Sequence, residues 1–287
     1  MNIVAMTMAY NEGTMLQRWL RHYGQHLGSQ SLLVIDHGSN DGSTAYLGDA
    51  SRIRLPRDDA GYDEGIRVEF VNGLQASLLK FYDVVLYVDC DEFLVPDPRK
   101  FANLAEYLIK MRPDCVRPVG LDIVHNRTTE PELDDDGPVL AHRQYCKFMT
   151  GTCKPAITKV PVNWNVGFHA CDVRADVDPD LFMIHLKYAD FQSTMKRAEL
   201  TRSLKWSDRT FDAGWSRRHR ASDEELTRNF FDDPAELIAR NGALRLDPPA
   251  LAEQFNRSLV RAHSMWQHRR PVDGILYEMP EWLRAAF

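Results

Sequence analysis

Apolar positions follow two alternating rhythms over roughly the first hundred residues. Ile3 to Met8 is a short continuous apolar run, the signature of a strand buried on both faces. After it, Leu16, Trp19, Leu20, Tyr23 and Leu27 recur at helical spacing until Gly28, where the chain can turn out of the helix. Thr14 followed by Gln17 predicts a capping box at the start of that helix. A second buried strand spans Leu32 to Ile35 and ends at Asp36, before the turn-rich run HGSNDGS. Val68 to Val71 reads as a short third strand, Gly73 to Tyr82 as a helix, and Val84 to Val88 as a further β-branched strand that stops at Asp89. Phe101, Leu104, Ala105 and Leu108 mark another helix.

Strands alternating with helices predict an α/β fold with a mainly parallel central sheet and right-handed crossovers. Ligands of such sheets collect beyond the carboxyl ends of the strands. Three polar clusters fall at such ends here: Tyr10-Asn11-Glu12, the run from Asp36 to Ser43, and Asp89-Cys90-Asp91-Glu92. The strand VVLYV placed before Asp-x-Asp predicts two carboxylates aimed alike at the sheet edge, hard donors suited to Mg2+ or Mn2+ bridging to a diphosphate. Asp36 is placed to accept a hydrogen bond from a base or ribose, although Gly, Ser, Asn and Asp also simply make turns. The run lacks G-x-G-x-x-G, the Walker lysine and G-x-S-x-G, which weakens the dehydrogenase, NTPase and serine-hydrolase classes.

Composition narrows the picture. The chain has 287 residues, 44% hydrophobic and 26% charged, enough for a substantial core. Its 41 acidic residues outnumber 35 basic ones, giving a net charge of −6, which argues against nucleic acid as the main partner. Five widely spaced cysteines with no CxxC pair suggest reduced thiols and a cytoplasmic protein. No apolar stretch approaches the ~20 residues of a transmembrane helix. Two regions depart from the early alternation. The middle holds an acidic stretch, Glu130 to Asp136, that reads as an exposed loop. Beyond Asp190 the chain reads as helical and charged, which divides it into an α/β domain, 1–190, that carries the three polar clusters, and a helical C-terminal extension, 191–287. In that extension Arg202, Lys205, Trp206, Arg209, Trp215, Arg217, Arg218 and Arg220 combine cations with aromatics that can stack on sugar rings, or can equally be a solvated helix face with buried tryptophan anchors.

Tyr10-Asn11-Glu12, then Asp36-x-Gly-Ser-Asn-Asp41-Gly-Ser, then Asp89-x-Asp91-Glu92-Phe93, in this order and spacing, resemble the GT-A-fold glycosyltransferases of family 2, and more nearly the branch with a DxDEF signature. The resemblance covers residues 1–98 clearly and 147–190 faintly, and His37 departs from the second Asp common in the broader family. It implies a Rossmann-like GT-A fold, a divalent metal (Mn2+ or Mg2+), a nucleotide-diphosphate-sugar donor with a UDP-sugar foremost, and a carbohydrate or glycolipid acceptor in surface glycan synthesis. By the same resemblance, Asp36 contacts the base, Tyr10, Asn11 and Glu12 line the nucleotide pocket, and Asp89 lies near ribose or metal. Asp91 is the main metal ligand, His185 completes the metal site, and Gln75 faces the donor. Asp172, ahead of His169, is the expected general base. The bland alternatives are a hydrogen-bonded core histidine at 185 and an ordinary acidic loop residue at 172. Family analogy alone would also allow a peripheral position at the inner membrane face. A DxD-type phosphohydrolase, in which the first Asp is the nucleophile, and a non-catalytic nucleotide-sugar-binding protein remain as rivals. A nucleotidyltransferase is disfavoured, because no G-x-G-T-R-type loop follows the first strand.

Overall fold

The structure is a computed structural model describing residues 1–57, 61–133, 137–215, 217–269 and 275–287. Its centre is a parallel array of β1 (Ile3–Ala9), β2 (Leu32–Asp36), β3 (Ser51–Arg54) and β4 (Val84–Tyr87), ordered β4-β1-β2-β3. Side chains alternate across this sheet, as the pleat requires. Ala5, Ala9, Leu32, Val34, Val84 and Leu86 face one apolar cluster, while Val4, Met6, Leu33, Ile35, Val85 and Tyr87 face another. Helix α1 (Thr14–Leu27) covers the first face with Leu16, Trp19 and Tyr23, and α2 (Glu64–Leu78) covers the second with Val68 and Val71. Both faces of the parallel strands are thereby buried, which is why they read as continuous apolar runs. The fold is α/β and Rossmann-like.

Beyond β4 the sheet becomes mixed. β5 (Glu92–Pro96), β6 (Cys115–Val124), β7 (Tyr145–Phe148), β8 (Ile157–Thr158) and β9 (Val177–His185) extend it, with α3 (Leu104–Lys110) between β5 and β6. β8 joins β4 to β6 by antiparallel pairing, whereas β9 runs parallel to β6 and antiparallel to β5.

The region after Asp190 is not helical throughout. It contains α4 (Phe191–Ser203), α5 (Asp208–Asp212), α6 (Asp223–Thr227), α7 (Asp233–Asn241), α8 (Pro248–Ser258) and α9 (Glu281–Arg284), but also β10 (Leu244–Arg245), the hairpin β11–β12 (Leu259–Ala262, Met265–His268) and β13 (Leu276–Glu278). β13 pairs with β7 and β10 with β13, so C-terminal strands complete the main sheet. The buried Leu276 and Tyr277 bring β13 there.

Three local expectations fail for identifiable reasons. Val68 to Val71 lies inside α2, and the third strand is the exposed, arginine-bearing Ser51–Arg54 at the sheet edge. Val68 and Val71 are three residues apart, a helical spacing that puts both on the buried face of α2. The Thr14–Gln17 capping box does not form: Gly13 caps α1, and the Gln17 amide instead donates to the carbonyls of Ser43 and Tyr46. Glu130 is buried, not exposed, and its carboxylate accepts from the backbone of Asn126 and Gln144; residues 134–136 of that acidic stretch lie outside the described residues. Among the described residues no helix is long and apolar enough to cross a membrane, and all five cysteines are buried thiols outside any disulfide.

Candidate functional site

The three polar strand ends meet. Asn11, at φ 49°, accepts from the backbone of Asn40 (2.8 Å) and donates through Nδ2 to Asn40 (2.9 Å), while the Gly13 N–H donates to Asp41 (3.1 Å). These bonds stitch the β1 turn to the β2 turn. Cys90, within the DxD segment, packs on β1 through a contact of its sulfur with Thr7 Oγ1 (3.3 Å). Arg197 of α4 closes the rim by donating to the carbonyls of Tyr10 and Asn11 and pairing with Glu12. Burial pushes the Glu12 carboxyl up to about 7 against the pull of Arg197, and the negative charges of Asp91 and Asp89 add to the rise. Glu12 is therefore a member of the acidic centre.

Asp89 and Asp91 do not present themselves alike. β4 ends at Tyr87, and residues 89–92 form a tight turn closed by Glu92 N–H to Asp89 O (3.0 Å), so strand alternation no longer governs them. Asp89 is held by Arg67 of α2, which also donates to Tyr87 Oη (2.9 Å), and by Lys154 at 2.7 Å. Burial raises the Asp89 carboxyl, but the two cations outweigh it and hold the group well below the usual range. Lys154 also reaches Glu92 at 2.6 Å, and burial of this ammonium is overcome by its two anions, which keep it protonated. With two carboxylates sharing one ammonium, the buried Glu92 is the one pushed up.

Asp91 instead faces His185, with its Oδ2 3.4 Å from Nε2. The other ring nitrogen donates to Asp122 at 2.7 Å, and Thr152 Oγ1 donates to the same Asp122 oxygen at 2.8 Å. Register explains the meeting: His185 is the ladder partner of Glu92 on β5 and of Asp122 on β6. A histidine whose Nδ1–H is fixed by a carboxylate, with Nε2 beside a partly exposed second carboxylate, is the usual arrangement of a metal-binding imidazole. Asp91 and His185 thus fit a divalent cation. Among the described residues no three His, Cys, Asp or Glu side chains form a metal cluster. Two protein donors suit a cation that also takes phosphate oxygens and waters. Asp89, with both oxygens in ion pairs, fits the role of metal ligand less well.

The remaining expected residues divide. His169 is exposed on the rim, yet protein surrounds it closely enough to push its imidazole down to about 4, with Lys154 adding to the effect of burial. Its Nδ1 donates to Gly151 O (2.7 Å), which fixes the tautomer and leaves Nε2 as the free base. Asp172, the favoured base from sequence, has both oxygens on Asn163, from the backbone N–H (2.8 Å) and Nδ2 (2.7 Å), and its charge acts on Cys115 and Cys171, not on the acidic centre. It closes a loop. Gln75 is fully buried and spends its amide on Thr158 (2.8 Å), Val160 (2.9 Å) and Val162 (3.3 Å), so it braces β8 and has nothing left for a donor. Asp36 is 1% exposed and accepts from Ser39 N–H (2.8 Å) and Thr44 Oγ1 (3.0 Å). It shapes its turn first, and contact with a base would use a remaining lone pair.

Sequence reading missed several groups. Arg57 lies 3.5 Å from the Tyr10 ring centroid, and its buried Nη1 has no hydrogen-bond partner among the described residues. His219 is held neutral by the charge of Lys187 first and by burial second, and it also senses Arg67, Asp91 and Asp89, so the C-terminal region reaches the acidic centre. Asp122 carried a signal that could have been used, a lone carboxylate inside the apolar run VRPVGLDIV. Arg67 and Lys154 carried none. Most of the basic C-terminal residues are engaged structurally: Arg202 pairs with Asp223 (2.7 Å), Arg209 with Glu69 (3.5 Å), Arg220 lies 4.4 Å from the Phe211 ring, and the Trp206 indole donates to Thr201 O (3.1 Å). Ser216 and the side chains of Arg217 and Arg218 lie outside the described residues. A surface depression of about 570 Å3 between β9 and α8, lined by Arg174, Val177, Pro249 and Arg257, contains none of the acidic-centre residues.

The Lys154 bridge yields a first prediction. Lys154→Met leaves Glu92, 1% exposed, without its cation and should cost about 3–5 kcal/mol, a fall of roughly 10 °C in Tm. Adding Glu92→Gln should restore most of the loss in a thermal melt, because the orphaned charge is then gone.

No family model and no curated protein matches the chain. Among solved structures it is similar to a mannosyltransferase from Pyrobaculum calidifontis in complex with GDP-Man and Mn2+, at 13% identity and a TM-score of 0.37, covering 88% of this chain and 79% of that one. It is also similar to a mannose-1-phosphate geranyltransferase from Thermus thermophilus, at 14% identity and a TM-score of 0.30, covering 80% and 68%. Likeness at this level says nothing of substrate or chemistry, which rest on the residues of this chain.

Proposed function

We propose that the protein is a glycosyltransferase that transfers a sugar from a nucleoside-diphosphate donor to a hydroxyl acceptor, with a divalent cation held by Asp91 and His185. The observation that carries this reading is the Asp91–His185–Asp122 relay, set at the rim where the β1 and β2 turns are stitched together. When bound there, Mn2+ or Mg2+ supplies charge neutralisation for a leaving diphosphate. Asp122 orients His185. Tyr10, Arg57 and the turn shaped by Asp36 form the nucleotide wall, and Arg67 and Lys154 fix Asp89 for contact with ribose or sugar hydroxyls. His169 Nε2 takes the proton of the acceptor hydroxyl as its oxygen bonds to the anomeric carbon and the bond from that carbon to the phosphate oxygen breaks.

A phosphohydrolase using Asp89 as nucleophile is disfavoured, because both Asp89 oxygens are in ion pairs that hold down its electron density. A binding-only protein would take up the nucleotide without releasing sugar. The deciding experiment is calorimetric titration with UDP, GDP and TDP, with and without Mn2+, followed by assay of donor hydrolysis. Saturable, Mn2+-enhanced binding of one nucleotide supports the reading, with UDP the first expectation. Absence of binding by all three with metal present would overturn it.

A further inference from the structure

We propose that Arg117 is a positioning residue of this site, the group that sets where Lys154 and His169 stand relative to Asp89; the inference rests on the transferase reading. Arg117 lies on β6, fully buried, and among the described residues it forms no ion pair. Its guanidinium donates only to backbone carbonyls: Nε to Ala175 (2.9 Å), Nη1 to Cys153 (2.8 Å) and His169 (2.8 Å), and Nη2 to Trp266 (3.1 Å). One of these carbonyls belongs to His169 itself and another to the residue before Lys154. The third and fourth tie in the end of the His169 loop and the C-terminal hairpin β11–β12.

Each tethered segment needs an outside hold. Between β7 and β9 the only regular elements are the two-residue β8 and a single 3-10 turn, Val166–Phe168. The backbone bonds within that stretch, such as Asn165 N–H to Ala170 O (3.0 Å) and Asp172 N–H to Asn163 O (3.2 Å), close turns locally and do not set where the loop lies against Asp89. Two glycines let the segments close in. A Cβ on Gly120, three residues along β6 from Arg117, would lie 2.6 Å from the Thr152 carbonyl carbon, and one on Gly167 would lie 2.7 Å from the His169 ring. Phe168, next to His169, is held at φ 60°, a region that a bulky side chain occupies only under constraint. Its ring is wedged against Tyr87 (4.4 Å between centroids) and under the Arg67 guanidinium (5.1 Å). Trp266 adds a second tie to the same loop, its N–H donating to Cys171 O (2.7 Å). A buried cation with no ion pair among the described residues is costly where a leucine or methionine would fill the space. The return for that cost is the fixed geometry of the two loops. Among the described residues the hydrogen bonds of the Arg117 side chain go to Ala175, Cys153, His169 and Trp266, and none goes to the β1 and β2 turns or to Asp91, His185 or Asp122.

The test combines Arg117→Lys and Arg117→Met with His169→Gln. Binding is measured by calorimetry with UDP and Mn2+, and turnover as sugar release from whichever of UDP-, GDP- and TDP-glucose the wild type hydrolyses fastest. Kd for UDP should change less than about threefold, because Arg67 still holds Asp89 when Lys154 shifts, while turnover falls on the order of 10²-fold, the usual effect of misplacing a reacting group by an ångström. The double variants should be no slower than His169→Gln alone, since both changes disable one unit. Unchanged turnover, or effects that multiply in the double variant, would overturn the proposal. If Arg117→Met fails to fold, Arg117→Lys, which keeps the charge, carries the test. A further readout needs no activity. The His169 imidazole, followed by NMR, should titrate about one pH unit or more higher in Arg117→Lys as its loop loosens into solvent, and an unmoved titration would also overturn the proposal. If the wild type releases no sugar, the transferase reading fails, and the NMR titration still decides whether Arg117 holds the loop.

Discussion

Asp91→Ala is expected to abolish Mn2+-dependent nucleotide binding and to lower turnover on the order of 10³-fold, while the protein still folds. The expected size follows from removing one of two protein donors to a cation that contributes several kcal/mol of charge stabilisation, at about 1.4 kcal/mol per tenfold. The fold should survive because the Asp91 side chain is 29% exposed and its partner His185 keeps the shorter bond to Asp122. Burial opposes the charged form of His185, but Asp122 first and Asp91 second hold the ring protonated without metal, so losing Asp91 leaves the stronger partner in place. Calorimetry with and without Mn2+, alongside a thermal melt, checks both halves. Metal-enhanced binding that persists in the variant would move the cation away from Asp91.

His169→Gln is expected to leave UDP–Mn2+ affinity within about twofold and to depress turnover by roughly 10²- to 10⁴-fold, the range for losing a general base. The pH profile gives an independent check. A base works only unprotonated, and burial, helped by Lys154, pushes this imidazole down to about 4. Activity of the wild type should therefore rise as pH increases through about 4 and be flat well before 6.5, the ordinary value for histidine. A limb near 6.5 would mean that the ring is solvated in the working enzyme. Asp172→Asn is the matched control. Because both Asp172 oxygens are occupied by Asn163, turnover should stay close to wild type. A large loss there, with His169→Gln unaffected, would return the role to the carboxylate.

The contrast between these two residues shows where sequence reasoning stops. His169 and Asp172 are three positions apart in a loop, and spacing alone could not say which faces the acidic centre. The loop's path depends on Arg117, Trp266 and the strained Phe168, all long-range effects. Gln75 failed for the same reason: its helix was recognised near its C-terminal end, but the amide's partners lie on β8 and the loop after it, 83 to 87 residues away. The sequence pairs Asp89 with Asp91, yet their division between Arg67 with Lys154 and His185 follows from a turn that ends the strand at Tyr87, one residue before the apolar run ends.

Local pattern by itself determined the parallel core β1, β2 and β4, the helix α1, and the placing of three polar clusters at strand ends, because burial on both sheet faces and a 3.6-residue repeat are written into neighbouring residues. His185 was marked by the family resemblance and not by periodicity. Tertiary structure alone decided what those clusters touch. Arg67, Lys154, Asp122, Arg57, Arg197 and His219 come from six separate segments, and no periodicity links them. The C-terminal strand β13 likewise finds β7 only after the chain has folded back on itself. Side-chain type and periodicity are local properties, whereas the neutralisation of a buried charge depends on which distant cation the fold brings within bonding distance.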